Sequence, residues 1–354
     1  MNVLVVGGAG YLGGTVVDLL GQSGHHVRVY DVLLYEECYL KPVDFVYGDV
    51  RDGERLKRQL DWAEVVIWLA AVVGDRACDL NPDATTKINE KSVAWLAQNF
   101  QQRIIFTSSC SVYGAQNGGT LTETSALNPL SLYASTKMAA ERHLAGKNAV
   151  IFRLGTMFGV GDHYARLRLD LVVNAFTVQA IQYGKIKIFG GSQFRPLLHV
   201  HDAARAIVDS ISQPHKGIFN LHRQNVRIGD LAYQLRNHFP DLTIESVDIL
   251  PRDARDYRVS SDKARALLGF RPTRSIDEGI EQLKSLLEER RLKQVDNPRY
   301  ANDRFLAGAK VQTVVLPATT VPANGSGSDG RHEETPVTAA VRAPIKSEKT
   351  AVAA

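Results

Sequence analysis

Cysteine is nearly absent. The 354 residues hold three, Cys38, Cys78 and Cys110, scattered and without CxxC spacing. Neither a disulfide framework nor a cysteine-based zinc site follows from them. Charge of one sign is also missing. Lys and Arg total 42 against 38 for Asp and Glu, a net of +4, which is too weak to imply a nucleic-acid partner. No apolar run reaches the roughly 18 residues that a membrane span requires. The N-terminus, MNVLVVGGAGYLGG, lacks a basic leader region, and glycines interrupt its apolar run at once. No signal peptide is expected, and the cytoplasm is the expected compartment. No internal repeat is present. What remains is the composition of a soluble globular protein, 44% hydrophobic and 23% charged. Its length suits two domains with a sizeable core.

Short apolar runs alternate with helical patterns. VLVV (3–6) precedes a glycine turn and a helix reading TVVDLLGQSG. HVRVYD (26–31), VDFVYGD (43–49), EVVIWLAA (64–71), RIIFTSS (103–109) and AVIFRLG (149–155) read as further strands. Continuous Val/Ile/Leu runs indicate strands buried on both faces, and intervening helices imply parallel crossovers. The expected fold is therefore α/β, a Rossmann-type doubly wound parallel sheet. It spans 1–160, with GIFNL (217–221) returning to the sheet. A smaller mixed α/β substrate lobe is expected over 161–305. It takes in helical 171–184, strand-like KIKIFGG (185–191), helical 228–239, strand-like TIESVDI and a helix over 276–293. Phe305 is the last aromatic residue, and the stretch 306–354, rich in Ala, Thr, Pro, Gly and Ser, is expected to be a disordered tail. With five positive and four negative side chains, that tail is not a basic arm.

Three signals point to a dinucleotide. Gly7-Gly8-Ala9-Gly10-Tyr11-Leu12-Gly13 is a GxxGxxG pattern between strand and helix. Its glycines let the backbone approach a pyrophosphate, and the helix N-terminus at Tyr11 and Leu12 presents free N–H groups to it. Asp31, at the end of the second strand, can accept hydrogen bonds from ribose 2′- and 3′-hydroxyls and would repel a 2′-phosphate, which favours NAD over NADP. Asp49 and Val50, after the third strand, can bracket the adenine edge. A fourth signal is catalytic. Tyr133 and Lys137 stand four apart in YASTK, on one face of a helix. A nearby ammonium favours phenolate, so a Tyr pKa lowered toward neutrality is expected, suiting alcohol–ketone interconversion. Ser109, in TSSCSVYG at the end of the fifth strand, can hydrogen-bond the same substrate oxygen. His199 and His201 read as packing histidines, and Asp202 as the cap of the helix DAARAIVDSI.

With GGAGYLGG, Asp31, GDV, LAA, TSSCSVYG, YASTK and RPLLHVHDAARA in place over about residues 1–290, the sequence resembles the extended short-chain dehydrogenase/reductases, specifically the NAD-dependent nucleotide-sugar epimerase/dehydratase group. The resemblance implies Tyr133 as acid/base, Lys137 as its modulator and ribose ligand, and Ser109 as the hydroxyl partner. It implies Ala70 and Ala71 along the NAD and Asn89 beneath it. Asn174 and Arg195 would meet the diphosphate of a nucleotide-diphosphate sugar, joined by one of Arg252, Arg255 and Arg258, with Arg255 preferred. It further implies a homodimer through the YASTK helix, with no metal, nucleic acid or membrane required. Two departures bear on activity. The 4,6-dehydratases place an Asp-Glu pair after the catalytic hydroxyl residue, where this chain has Cys110 and Ser111. The galactose 4-epimerases carry Asn-Pro after the sixth strand, where this chain reads Gly155-Thr-Met-Phe-Gly159. Ala165–Asn174, RDYRVS and DNPRYAN are similar to a branch that includes heptose- and deoxysugar-nucleotide 4-oxidoreductases and epimerases. The expected activity is 4-epimerisation through a transient 4-keto sugar. The alternatives are net 4-dehydrogenation or 4-ketoreduction of a hexose, deoxysugar or heptose, and a non-catalytic NAD-binding protein, against which retention of Ser109, Tyr133 and Lys137 argues.

Overall fold

The computed structural model describes residues 1–308 except 116, 117, 163, 165, 248–254 and 293. Seven strands build the main sheet. They are β1 (Asn2–Val6), β2 (His26–Asp31), β3 (Asp44–Tyr47), β4 (Val65–Trp68), β5 (Arg103–Ser109), β6 (Ala149–Leu154) and the late β10 (Gly217–Leu221). Their order is β10-β6-β5-β4-β1-β2-β3, and every pairing is parallel. All residues of β4 and β6 are buried, as continuous apolar runs require of central parallel strands. One face is covered by the Tyr11–Gly21 and Val200–Asp209 helices through Val16, Val17, Leu20, Ala203 and Ile207. The other is covered through Leu56, Leu60, Val93, Leu96 and Ala140. The strand order reverses at β1, between β2 and β4. A crevice therefore opens outside their carboxyl ends, where open α/β sheets bind ligands.

The remaining strands build small sheets beyond that edge. β7 (Thr156–Phe158) runs parallel to β9 (Phe194–His199), which pairs antiparallel with β11 (Gln224–Arg227). β8 (Lys185–Phe189) runs parallel to β12 (Thr243–Val247). β8 alternates, burying Ile186 and Ile188 on the core side. Phe158, Val173, Phe176, Ile186, Leu231 and Ile280 fill the core there. The helix expected over 276–293 is shorter, Ile276–Glu288, and opens with a Ser275–Glu278 capping box. A short helix, Asn302–Gly308, carries the chain past Phe305, and its Leu306 packs with Val72, Ala77 and Cys78. The rest of the expected tail, 309–354, lies outside the described residues.

One capping assignment is corrected. Asp202 does not cap its helix. Its carboxylate accepts from the backbone N–H groups of Thr273 and Arg274, each at 3.0 Å. His199 is the N-cap, and its Nδ1 accepts from the His201 N–H at 3.1 Å. The helix begins two residues earlier than the sequence suggested, which moves Asp202 into its first turn.

A buried ion pair ties the strand end to the helix that carries Tyr133. Arg153 of β6 donates to Glu141 of the Leu132–His143 helix, with Nη2 to Oε2 at 2.7 Å and Nε to Oε1 at 3.0 Å. The side chains are 2% and 4% exposed. Ser108 of β5 donates to the same carboxylate at 2.5 Å, and Arg153 Nη1 donates to the Tyr113 hydroxyl at 2.9 Å. Removing one partner leaves an uncompensated buried charge. Arg153→Ala should therefore destabilise the fold by about 3–5 kcal/mol in urea unfolding.

Burial lowers the pKa values of His199 and His222 to about 4 each. An unfolded histidine titrates near pH 6.5. The stability linked to these neutral rings is full above pH 6.5 and falls away as pH drops toward 4. Urea unfolding at pH 5 should give a lower stability than at pH 7.5, and His199→Gln should shrink the difference.

Candidate active site

The crevice is a cleft of about 1030 Å³. It runs from the glycine turn, past the β4 and β5 ends, to β8, β9 and Arg255. That volume lies at the upper end for a pocket holding one small ligand.

At one end, Gly7 adopts φ +87°, and a Cβ there would stand 2.5 Å from the Ala70 nitrogen. A Cβ on Gly13 would stand 2.4 Å from the Gly7 carbonyl oxygen. Glycine is thus required for the turn to close and for the helix to pack on it. At Gly10 a Cβ would have only the Gly7 oxygen within reach, at 3.5 Å. The Tyr11–Gly21 helix has Gly10 as its N-cap and no side-chain cap. Its first-turn N–H groups therefore face the cleft as an anion site. Asp31 accepts from Ala9 N–H at 3.0 Å and Leu33 N–H at 2.8 Å, one per oxygen, and each oxygen keeps a lone pair for a hydroxyl donor. Burial raises the Asp31 pKa despite those bonds. This donor and acceptor set fits a dinucleotide with a free ribose diol. Tyr11 and Leu12 line the same end, and the Tyr11 hydroxyl donates to the Gly159 carbonyl at 2.6 Å.

Asp49 and Val50 line the cleft as expected. The Asp49 carboxylate is already held by Arg51, at 2.9 and 2.6 Å. Burial alone would raise its pKa, but the Arg51 bonds bring it below the usual value. Ala70 and Ala71 line the middle of the cleft. Asn89 is buried beneath it and does not line it. Its amide grips both backbone groups of Val72, accepting at 2.8 Å and donating at 2.9 Å, which fixes the loop after β4.

Ser109, Tyr133 and Lys137 converge on the cleft. Ser109 Oγ accepts from the Ser111 N–H at 3.1 Å and the Ser111 hydroxyl at 2.9 Å. Its own hydrogen is left to donate, and its hydroxyl pulls the Tyr133 pKa down. Lys137 donates to the Thr107 carbonyl at 2.8 Å, and burial lowers its pKa to about 8. The expected lowering of the Tyr133 pKa is corrected. Burial and the nearby Cys78 drive it up, the Ser109 hydroxyl and Arg168 pull it down, and the Lys137 ammonium is spent on the Thr107 carbonyl. Sharing a helix face did not make the pair interact, because the ammonium turns to the strand carbonyl. Cys110 points into the core, where its thiol bonds the Arg153 carbonyl and burial raises its pKa.

At the far end, Arg195 lines the cleft and donates to the carbonyls of Phe194 and Arg255. Arg255 also lines it and pairs with Asp75 at 3.4 Å. Arg258 packs over the Phe194 ring instead, and Arg252 lies outside the described residues. The expectation for Asn174 is corrected. It is buried, does not line the cleft, and spends its amide on the backbone of Gly159 and Arg168. Its place near a helix start suggested a ligand contact, but the preceding loop folds back over it. Sequence reasoning missed Tyr35, Asp75, Arg166, Arg168 and Asn302, all of which line the cleft. Only the RLRLD and DNPRYAN segments hinted at them. Among the described residues no cluster of His, Cys, Asp or Glu is arranged to hold a metal, and no helix is long and apolar enough to cross a membrane.

The sheet, its switch-point cleft and the glycine turn define a dinucleotide-binding α/β enzyme. The chain belongs to the NAD dependent epimerase/dehydratase family, whose model matches residues 3–221. A putative UDP-glucose 4-epimerase of Methanocaldococcus jannaschii is 27% identical over 298 residues, covering 79% of this chain and 96% of that protein. A UDP-N-acetylglucosamine 4,6-dehydratase (inverting) of Campylobacter jejuni is 24% identical over 284 residues, covering 76% and 80%. The crystal structure of a UDP-glucose 4-epimerase with UDP-glucose, from Thermotoga maritima, superposes with a TM-score of 0.73 at 24% identity, covering 82% of this chain and 99% of that one. NAD is the cofactor of the family. Asp31→Ala should weaken NAD binding about tenfold or more in titration calorimetry.

Proposed function

We propose that this enzyme is a nucleotide-sugar 4-epimerase working through a transient 4-keto sugar. The observation that carries the reading is the chemistry next to Ser109. Dehydration needs an acid/base pair there, and this chain offers a thiol buried in the core and a hydroxyl bonded to Ser109. What remains at the cleft suits oxidation and re-reduction of one carbinol carbon.

In this reading Tyr133 takes the proton of the C4 hydroxyl as the C4 hydride departs. Ser109 donates to the developing carbonyl oxygen and holds it against the Tyr133 phenol. Tyr133 then returns its proton to that oxygen when hydride arrives on the other face of C4. When bound, NAD supplies the hydride acceptor and, oxidised, a positive ring charge. The chain's own cation Arg168, which lines the same cleft, favours the phenolate against its burial. Arg195 and Arg255 suit the diphosphate of a nucleotide-diphosphate sugar, since a guanidinium fork matches phosphate oxygens.

Tyr133→Phe should cut turnover by about 10² or more and leave NAD affinity unchanged. A panel of nucleotide sugars, followed by mass spectrometry and NADH absorbance, tests the reaction type. An isobaric product without stoichiometric NADH is expected. Stoichiometric NADH would make the enzyme a net dehydrogenase, and loss of water would make it a dehydratase.

A further inference from the structure

Arg166 stands in the cleft as a buried cation that forms no ion pair among the described residues. It is 5% exposed, and its guanidinium carbon lies 3.6 Å from the centroid of the Tyr35 ring. Its Nε donates to the Arg299 carbonyl, while Nη2 has no hydrogen-bond partner among the described residues. Arg168 differs. Asp170 neutralises it through bonds of 2.6 and 2.9 Å. Burial, followed by repulsion from Arg168, lowers the Arg166 pKa to about 10. An unmatched buried charge is expensive to hold and calls for an anion.

A second orphan lines the same cleft. Asn302 is 3% exposed, donates to the Val73 carbonyl at 2.6 Å, and leaves its Oδ1 unpartnered among the described residues. The segment between the two orphans is tied down on both sides. Arg299 pairs with Glu36, and Phe305 meets the Tyr35 ring at 4.9 Å between centroids. The Tyr300 carbonyl accepts from the Leu169 N–H at 2.9 Å, and the Asn302 N–H donates to Asp170 at 3.1 Å. Asp303 stands 3.7 Å from Arg76. Residues 299–305 thus strap the loop after β2 to the loop after β4, the two strands that flank β1 and its glycine turn.

We propose that Arg166 binds the diphosphate of the dinucleotide from a wall of the cleft separate from the glycine turn, with the 299–305 strap holding it in place. Asn302 Oδ1 then accepts from a hydroxyl or amide N–H of the same ligand. The cofactor's diphosphate is favoured over the sugar nucleotide's because Arg166 stacks on Tyr35, which follows Asp31 on the same loop. The candidates for the other diphosphate, Arg195 and Arg255, sit on and beside β9. The inference rests on NAD as cofactor and not on the epimerase reading, so either can fail alone.

Titration calorimetry of the full chain with NAD, adenosine and UDP tests it. Arg166→Ala should weaken NAD about tenfold to a hundredfold, the loss expected for a charge-assisted hydrogen bond. Arg166→Lys should recover part of that. Adenosine, which has no phosphate, and UDP should bind within twofold of wild type. If Arg166→Ala does not fold, Arg166→Gln serves under the same thresholds, since it shortens the side chain less and keeps a donor for Arg299. NAD affinity within twofold of wild type, an equal loss for adenosine, or a loss that falls on UDP would overturn the assignment.

Discussion

The Arg153–Glu141 pair is the contact on which the geometry of the cleft depends. Buried ion pairs contribute little net stability against an apolar alternative, but they fix relative positions. Glu141 lies two turns along the helix from Tyr133 and one from Lys137. Its carboxylate is held by Arg153 on β6 and Ser108 on β5 at once. That joint sets the rotation of the helix against the strand ends. The sulfur of Cys110 on the Arg153 carbonyl completes the joint and takes that thiol away from the ligand.

The main sheet was legible because central parallel strands need continuous apolar runs and crossovers need helices between them. β10 was legible for the same reason, although β7, β8 and β9 of the small sheets precede it in the chain. The glycine turn, Asp31, Ser109, Tyr133 and Lys137 could be read because each sits at a strand end or on one helix face, where local spacing fixes direction. Other features are tertiary. Arg166 meets the Arg299 backbone across 133 residues and Asn302 meets Val73 across 229, so no local pattern encodes either contact. Asn174 was misread because its helix start looked like an anion site, while the fold uses its amide to close a loop. The Tyr133–Lys137 spacing gave the shared face correctly. It gave no view of the Thr107 carbonyl, which holds the ammonium.

Electrostatically, the cleft sets acidic and basic side chains side by side, and burial tunes several of them. Lys137 and Arg166 both have lowered pKa values because solvent is withheld from them, and Tyr133 has a raised one for the same reason. A ligand carrying diphosphate would reverse part of that penalty, so anion binding and protonation state are linked.

The late return of β10 has a consequence for biogenesis. β6 is an interior strand only because Gly217–Leu221 pairs along its whole length. During synthesis the first six strands emerge well before that partner. For that interval a largely apolar strand is a bare sheet edge, open to pairing with another nascent chain. Residues 155–216, with β7, β8 and β9, must leave the ribosome before the main sheet can close.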